Sequence, residues 1–152
     1  MAEYIKPVID RVLAVIEKYL PTTLPADRAP VREFGRQFTG VVAAMPALYV
    51  MPVRTGFDPD AQYLHQAHQV QIKLAVLGSE MGDVTDAAMD YVRAVDLAIA
   101  AGEAAGEFAN AVTGGVVSRV FIASHDYGPL FERGGGLARF PEIELIVEAA
   151  EQ

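Results

Sequence analysis

Ile5, Val8, Ile9, Val12, Leu13, Ile16 and Leu20 recur at i, i+3, i+4 and i+7 spacing, which predicts an amphipathic helix at the start of the chain. Pro7 suits its first turn, where a missing N–H costs nothing, and Pro21 is expected to end it. Pro21, Pro25 and Pro30 mark residues 21–33 as a loop, and residues 34–45, with Gly35 and Gly40, show no clear period. ALYVMPVRT, residues 47–55, is rich in strand formers, with Pro52 at an edge or bulge. TGFDPDAQ then carries turn chemistry around Gly56 and Asp58-Pro59-Asp60 and predicts a mobile loop.

The clearest alternation is HQVQIKLAV. Val70, Ile72, Leu74 and Val76 point one way and Gln69, Gln71 and Lys73 the other, as in a half-buried strand of an antiparallel sheet. GDVTDAAMDYVRAVDLAIAAG predicts a second helix with Val84, Ala88, Tyr91, Val92, Val95, Ala98 and Ile99 as its apolar stripe. Asp83 or Thr85 is expected to cap its start and Gly102 its end. The following EAAGEFANAVTGG reads as a helical turn or a loop. VVSRVFIASHDY and PEIELIVEA predict two more strands, the last with Ile143, Leu145 and Val147 inside and Glu142, Glu144 and Glu148 outside. With no repeat of fixed period, residues 1–152 are expected to form a single α+β domain: an antiparallel sheet of about four strands with two main helices packed on one face.

Composition narrows the function more than the fold. The 152 residues are 52% hydrophobic and 21% charged, as expected of a folded globular domain. There is no cysteine, so disulfides and thiol chemistry are excluded. A formal net charge of −8 argues against a phosphate-binding surface. Charges at Glu3, Lys6, Asp10 and Arg11 spoil a signal-peptide core, and the uncharged run from Gln37 to Val53 is short and broken by Pro46 and Pro52. A soluble protein with no membrane span is the expectation.

Candidate chemistry is thin. Gly134-Gly135-Gly136 is followed by neither Lys-Ser nor Lys-Thr, and G-x-G-x-x-G is not completed, so a flexible hairpin connection is favoured over a phosphate cradle. Ser124, His125 and Asp126 are the residue types of a hydrolase triad. On a strand, however, His125 faces away from the other two, and adjacent residues cannot hydrogen-bond in series. His65 and His68, with Asp58 and Asp60 nearby, form H-x-x-H. On a strand that spacing opposes the two rings, and a zinc site needs three or four converging ligands. His68 is in phase with Val70 and Ile72 and is expected to be packed, His65 exposed. No catalytic, metal or cofactor-binding residue is therefore assigned. The row Glu142, Glu144, Glu148 reads first as a solvated strand face and second as a surface that repels phosphate or pairs with basic residues of a neighbouring subunit.

The order of elements, with MPALYVMPV, HQVQIKLAVLG, VTDAAMDYVRAVDLAI, VFIASHDYGPLF and FPEIELIVEA in sequence, resembles the small tail terminator (tail-completion) proteins of long-tailed bacteriophages and related particles, over about residues 3 to 149. That resemblance implies a structural virion protein without catalysis, assembled in the host cytoplasm and lying at the tail–head junction. It implies a ring, commonly of six copies, that caps the tail tube, ends its growth and meets the head connector while DNA passes through without specific binding. The implied partners are further copies of the chain, the tail tube protein and the head–tail connector protein; no cofactor is implied. Arg54, Phe57, Asp58, Asp60, Tyr127, Leu130, Phe131, Glu132 and Arg133 are the candidate interface residues. In the loop DYGPLFERGGG, Tyr127, Leu130 and Phe131 would be apolar anchors and Glu132 and Arg133 the rim; covering the protein's own core is an equal reading for Tyr127 and Leu130. Two alternatives stay open: another neck or head-completion protein, and a small ligand-binding or metal-dependent enzyme domain using His65, His68 and the Asp58–Asp60 loop.

Overall fold

A computed structural model describes residues 5–38, 44–58, 65–78, 80–112, 115–133 and 136–151. Two helices, α1 (Lys6–Thr23) and α2 (Met81–Ala104), lie on one face of a sheet built from β1 (Glu33–Gly35), β2 (Ala47–Asp58), β3 (His65–Gly78), β4 (Gly115–Asp126), β5 (Leu130–Arg133), β6 (Gly136–Arg139) and β7 (Glu142–Glu151). The α+β class and the one-sided helix layer agree with the sequence reading. The sheet is larger than four strands, and it is mixed, because β1 runs parallel to β2.

The seven strands nevertheless follow few lines. β7 pairs with β3 from His65–Ala150 to Lys73–Glu142, and β6 continues against the same strand from Val76–Arg139 to Gly78–Leu137 in unchanged register. Between them the N–H of Leu74 donates to the carbonyl of Pro141 at 2.8 Å, carrying the ladder across the gap. β4 lies outside β7 and β5 outside β6. The four expected strands fall on four of five lines, β1 beside β2 being the fifth, and two of the lines are interrupted side by side at residues 127–129 and 140–141.

The core is the layer between helices and sheet. Val8, Val12, Ile16 and Leu20 of α1 and Tyr91, Val95 and Ile99 of α2 pack on Leu48, Val50, Val70, Ile72, Leu74, Ile143, Leu145 and Val147. The predicted phases of β3, β7 and both helices are those observed. Leu13 is only half-buried, and Val15 takes an inner position beside it.

Element ends depart from expectation for local reasons. Pro21 sits inside the last turn of α1. The turn survives because the N–H of Leu24 donates to Leu20 and the hydroxyl of Thr23 donates to the carbonyl of Ala94 at 2.7 Å. α2 begins at Met81 with Glu80 as N-cap, so Asp83 and Thr85 lie within the helix rather than capping it. Gly102 does not cap α2 either: the helix runs on to Ala104, and Gly102 is buried where a Cβ would stand 2.3 Å from Cγ1 of Val15. It is there because the two helices touch. Thr55–Asp58 belong to β2 rather than to a loop, since pairing with His65–His68 extends the ladder through the turn-like sequence. The bulge predicted at Pro52 falls between Pro52 and Arg54.

Candidate functional site

The sheet's second face carries no helix. Its polar row is built from Gln69, Gln71 and Lys73 of β3 and Glu142 and Glu144 of β7, the side chains that alternate away from the core. Glu144 accepts hydrogen bonds from the amide of Gln69 and from Oγ of Ser124, the latter at 3.1 Å. Nζ of Lys73 lies 3.3 Å from Glu142 and 4.4 Å from the centroid of the Phe38 ring.

At one end of this face a row of rings crosses the strands. Tyr49 meets Phe38 at 5.4 Å, Phe38 meets Phe140 at 5.9 Å, and Phe140 meets Phe131 edge-on at 5.6 Å. Such tilted, offset contacts are favoured by the ring quadrupole. Burial, with a hydrogen bond to Glu33 at 3.0 Å, pushes the Tyr49 hydroxyl up to about 12, so it is a neutral donor. Beside the rings opens a groove of about 750 Å³ lined by Phe38, Lys73, Asp126, Phe131, Glu132 and Glu142 together with Gly128, Pro129 and Phe140.

The groove owes its shape to the paired strand breaks. Gly128 has φ +73°, and a Cβ there would meet the carbonyl oxygen of Phe140 at 2.3 Å, so only glycine allows the two crossings to touch. Oδ1 of Asp126 accepts from the N–H of Gly128 at 2.8 Å, and Arg139 donates to the Gly128 carbonyl at 3.0 Å. These bonds set the β5–β6 hairpin against the rest of the sheet.

The predicted interface residues separate into two groups. Phe131, 49% exposed, and Glu132 line the groove; Tyr127 stands 40% exposed beside His125; Leu130 packs partly buried on the helix-side core. The stretch Leu130–Arg133 is a strand and not a loop, because it pairs with β6 from Leu130–Arg139 to Arg133–Gly136; Gly134 and Gly135 lie outside the described residues. Arg54 and Phe57 are exposed on β2 past its bulge, and Asp58 is the last residue of that strand. Asp60 lies outside the described residues. The sequence reading missed Phe38, Tyr49, Lys73 and Phe140. The one local signal was Lys73, a cation amid the polar positions of β3.

The other candidates do not gather. His68 is fully buried, with Nδ1 3.0 Å from Oγ1 of Thr55, while His65 is half-exposed on the opposite face. Burial lowers the pKa of His68, so its ring is neutral. Among the described residues no group of three or more His, Asp or Glu is placed to hold a metal ion. Ser124 reaches Glu144 on the open face, whereas His125 turns to the helix side and contacts Asp96 at 2.8 Å, so the triad order is broken as the strand geometry requires. Burial raises the Asp96 pKa, with His125 opposing. No described helix is long and apolar enough to cross a membrane.

No family model matches the chain, and no curated protein matches it. Among solved structures, a chain in the virion of a native gene transfer agent (GTA) particle is similar, at 12% identity and a TM-score of 0.42, over 91% of this chain and 97% of that one. A likeness that distant does not say what this chain does.

Proposed function

We propose that the protein is a non-catalytic structural component of a phage-like particle, a tail terminator that forms a ring on the tail tube, ends its growth and joins it to the head connector. The observation that carries the reading is the sheet's asymmetry. One face is sealed by helices, while the other carries only a small cluster, Ala47, Tyr49 and Ala75 beneath Phe38, Met45 and Phe140, beside an exposed aromatic groove. The two sheet edges also differ. β1 covers only Ala47–Tyr49 of β2, so the rest of β2 forms one edge, and β4 with β5 forms the other. A closed ring needs two unlike surfaces on each subunit, one receiving and one given, which this arrangement supplies. The bulge at Pro52–Arg54 and the register shifts along β4 discourage unlimited strand-on-strand growth. A net charge of −8 lets DNA pass without sticking.

The sequence resemblance to tail terminators supports the same reading, with the tail tube protein and the connector as further partners and the virion as the location. The test is electron microscopy of particles assembled without the protein. Tails of irregular length that fail to join filled heads are expected. Tails of uniform length without heads would instead favour another neck component, and normal particles would refute both.

A further inference from the structure

The two long edges of the sheet present backbone groups that the subunit itself leaves unmet. The N–H of Leu74 donates to the carbonyl of Pro141, which fixes the alternation along β3. Val70, Ile72 and Leu74 turn their N–H and C=O groups towards β7 and β6, and Gln69, Gln71 and Lys73 turn theirs towards β2. Carried outwards through the register, the same alternation aims the backbone groups of Thr55 off the β2 edge. It aims those of Val117, Val120, Ile122 and His125 off the β4 edge. Val117 agrees, since its N–H leaves β7 and donates to the carbonyl of Ala109 at 3.1 Å. Among the described residues the outward backbone groups of Thr55, Val120, Ile122 and His125 have no partner.

Each edge is regular over a short length only. Pro52 also points off the β2 edge, has no N–H to offer and is followed by the bulge, so regular strand runs from Arg54 to Asp58. On β4 the register shifts between Val117 and Arg119 and again between Ile122 and Ser124, which leaves Arg119–Ile122 as the regular stretch. We infer that Arg54–Asp58 of one subunit adds as an antiparallel strand to Arg119–Ile122 of a second copy of this chain. This rests on the ring reading and names its contact. β2, β3, β7 and β4 are each antiparallel to the next, so β2 and β4 run in opposite directions. A copy set beside the first in the same orientation therefore meets it antiparallel, with the helices of both on one side. Each subunit gives one edge and receives on the other, as a closed ring requires. The two stretches are similar in length, and the irregularities at their ends stop the pairing from spreading. Thr55, Phe57, Val120 and Ile122 all alternate to the helix side, opposite the buried His68, Gln66, Val147 and Leu145. There the ring of Phe57, 49% exposed, gains the β-branched Ile122 of the next copy.

Amide hydrogen exchange tests it on the native chain. In the assembled species the N–H groups of Thr55, Val120 and Ile122 should exchange roughly tenfold or more slowly than that of His125, which points off the same edge as Val120 but beyond the second register shift. A variant adds a second readout. Thr55→Pro removes an outward N–H that carries no ladder bond within the subunit, and should weaken self-association by about tenfold in sedimentation velocity. Thr55→Ala keeps the N–H and should assemble as the native chain does. Circular dichroism checks folding, and if Thr55→Pro does not fold, the exchange measurement alone decides. An assembled ring in which the three amides exchange as fast as that of His125 would overturn the contact and leave the ring reading standing. So would a folded Thr55→Pro that assembles normally, or equal weakening by both variants. A native chain that stays monomeric would overturn both.

Discussion

Substituting alanine at two glycines of α2 should have opposite consequences. Gly102 faces α1, and an added Cβ would lie 2.3 Å from Cγ1, 3.3 Å from Cγ2 and 3.4 Å from Cβ of Val15. Carbon atoms prefer about 3.5–4.0 Å, so the helices would have to part by more than about 1 Å. Val15 cannot swing aside: it is 2% exposed, and a β-branched residue in a helix has one strongly preferred rotamer. Overpacking of this kind costs about 1–3 kcal/mol, with this contact toward the upper end, against about 1 kcal/mol gained in helix propensity. The net expectation for Gly102→Ala is a loss of about 1–2 kcal/mol, or about 2–8 °C in Tm. Gly82 has nothing within 4 Å of its added Cβ, so Gly82→Ala should be neutral or stabilise by up to about 1 kcal/mol. Urea unfolding followed by helical circular dichroism measures both, and Val15→Ala should relieve part of the Gly102→Ala cost in a double-mutant cycle. Gly102→Ala as stabilising as Gly82→Ala would show that the helix contact is not as described.

Ile72→Ala or Leu145→Ala, each removing a fully buried side chain, should cost about 2–5 kcal/mol; a midpoint shift no larger than that of Gln71→Ala would put the strand phase in error. His68 is held neutral by burial, its pKa lowered from 6.5, while the unfolded chain takes up the proton near that ordinary value. Its contribution is therefore full above about pH 6.5 and declines as pH falls, by at most about 1.4 kcal/mol per pH unit. His68→Leu should flatten the fall in unfolding free energy between about pH 7.5 and 5.5, and an unchanged slope would refute the assignment. Phe131→Ala should weaken assembly while leaving the unfolding midpoint near its native value, because the ring is half-exposed; a core-sized loss of stability would show that Phe131 belongs to the subunit's own packing.

Much of the fold was legible where the signal is local and repeated. The apolar stripes of both helices, the alternation of β3 and β7 and the bulge at Pro52 follow from spacing within a dozen residues. What was not legible depends on contact between distant segments. Gly102 reads as a helix stop until Val15 is seen against it, and Leu130–Arg133 reads as a loop because glycines follow and its partner β6 is too short to show alternation. β1, three residues long, has no period at all. The site was half visible for the same reason. Phe131 and Glu132 stood out in their own stretch, whereas Phe38, Tyr49, Lys73 and Phe140 come from four separate parts of the chain and meet only on the sheet face that carries no helix.

The central claim is that this asymmetric sheet, with helices on one face only, builds a ring. The direct measurement is the mass of the purified full-length chain by native mass spectrometry and mass photometry over a range of concentrations, with imaging of the assembled species. A single closed oligomer is expected, six copies of the 16.3 kDa chain, seen as a ring with an open centre. A chain that remains monomeric at every concentration, or that forms only a two-fold dimer, would contradict the account.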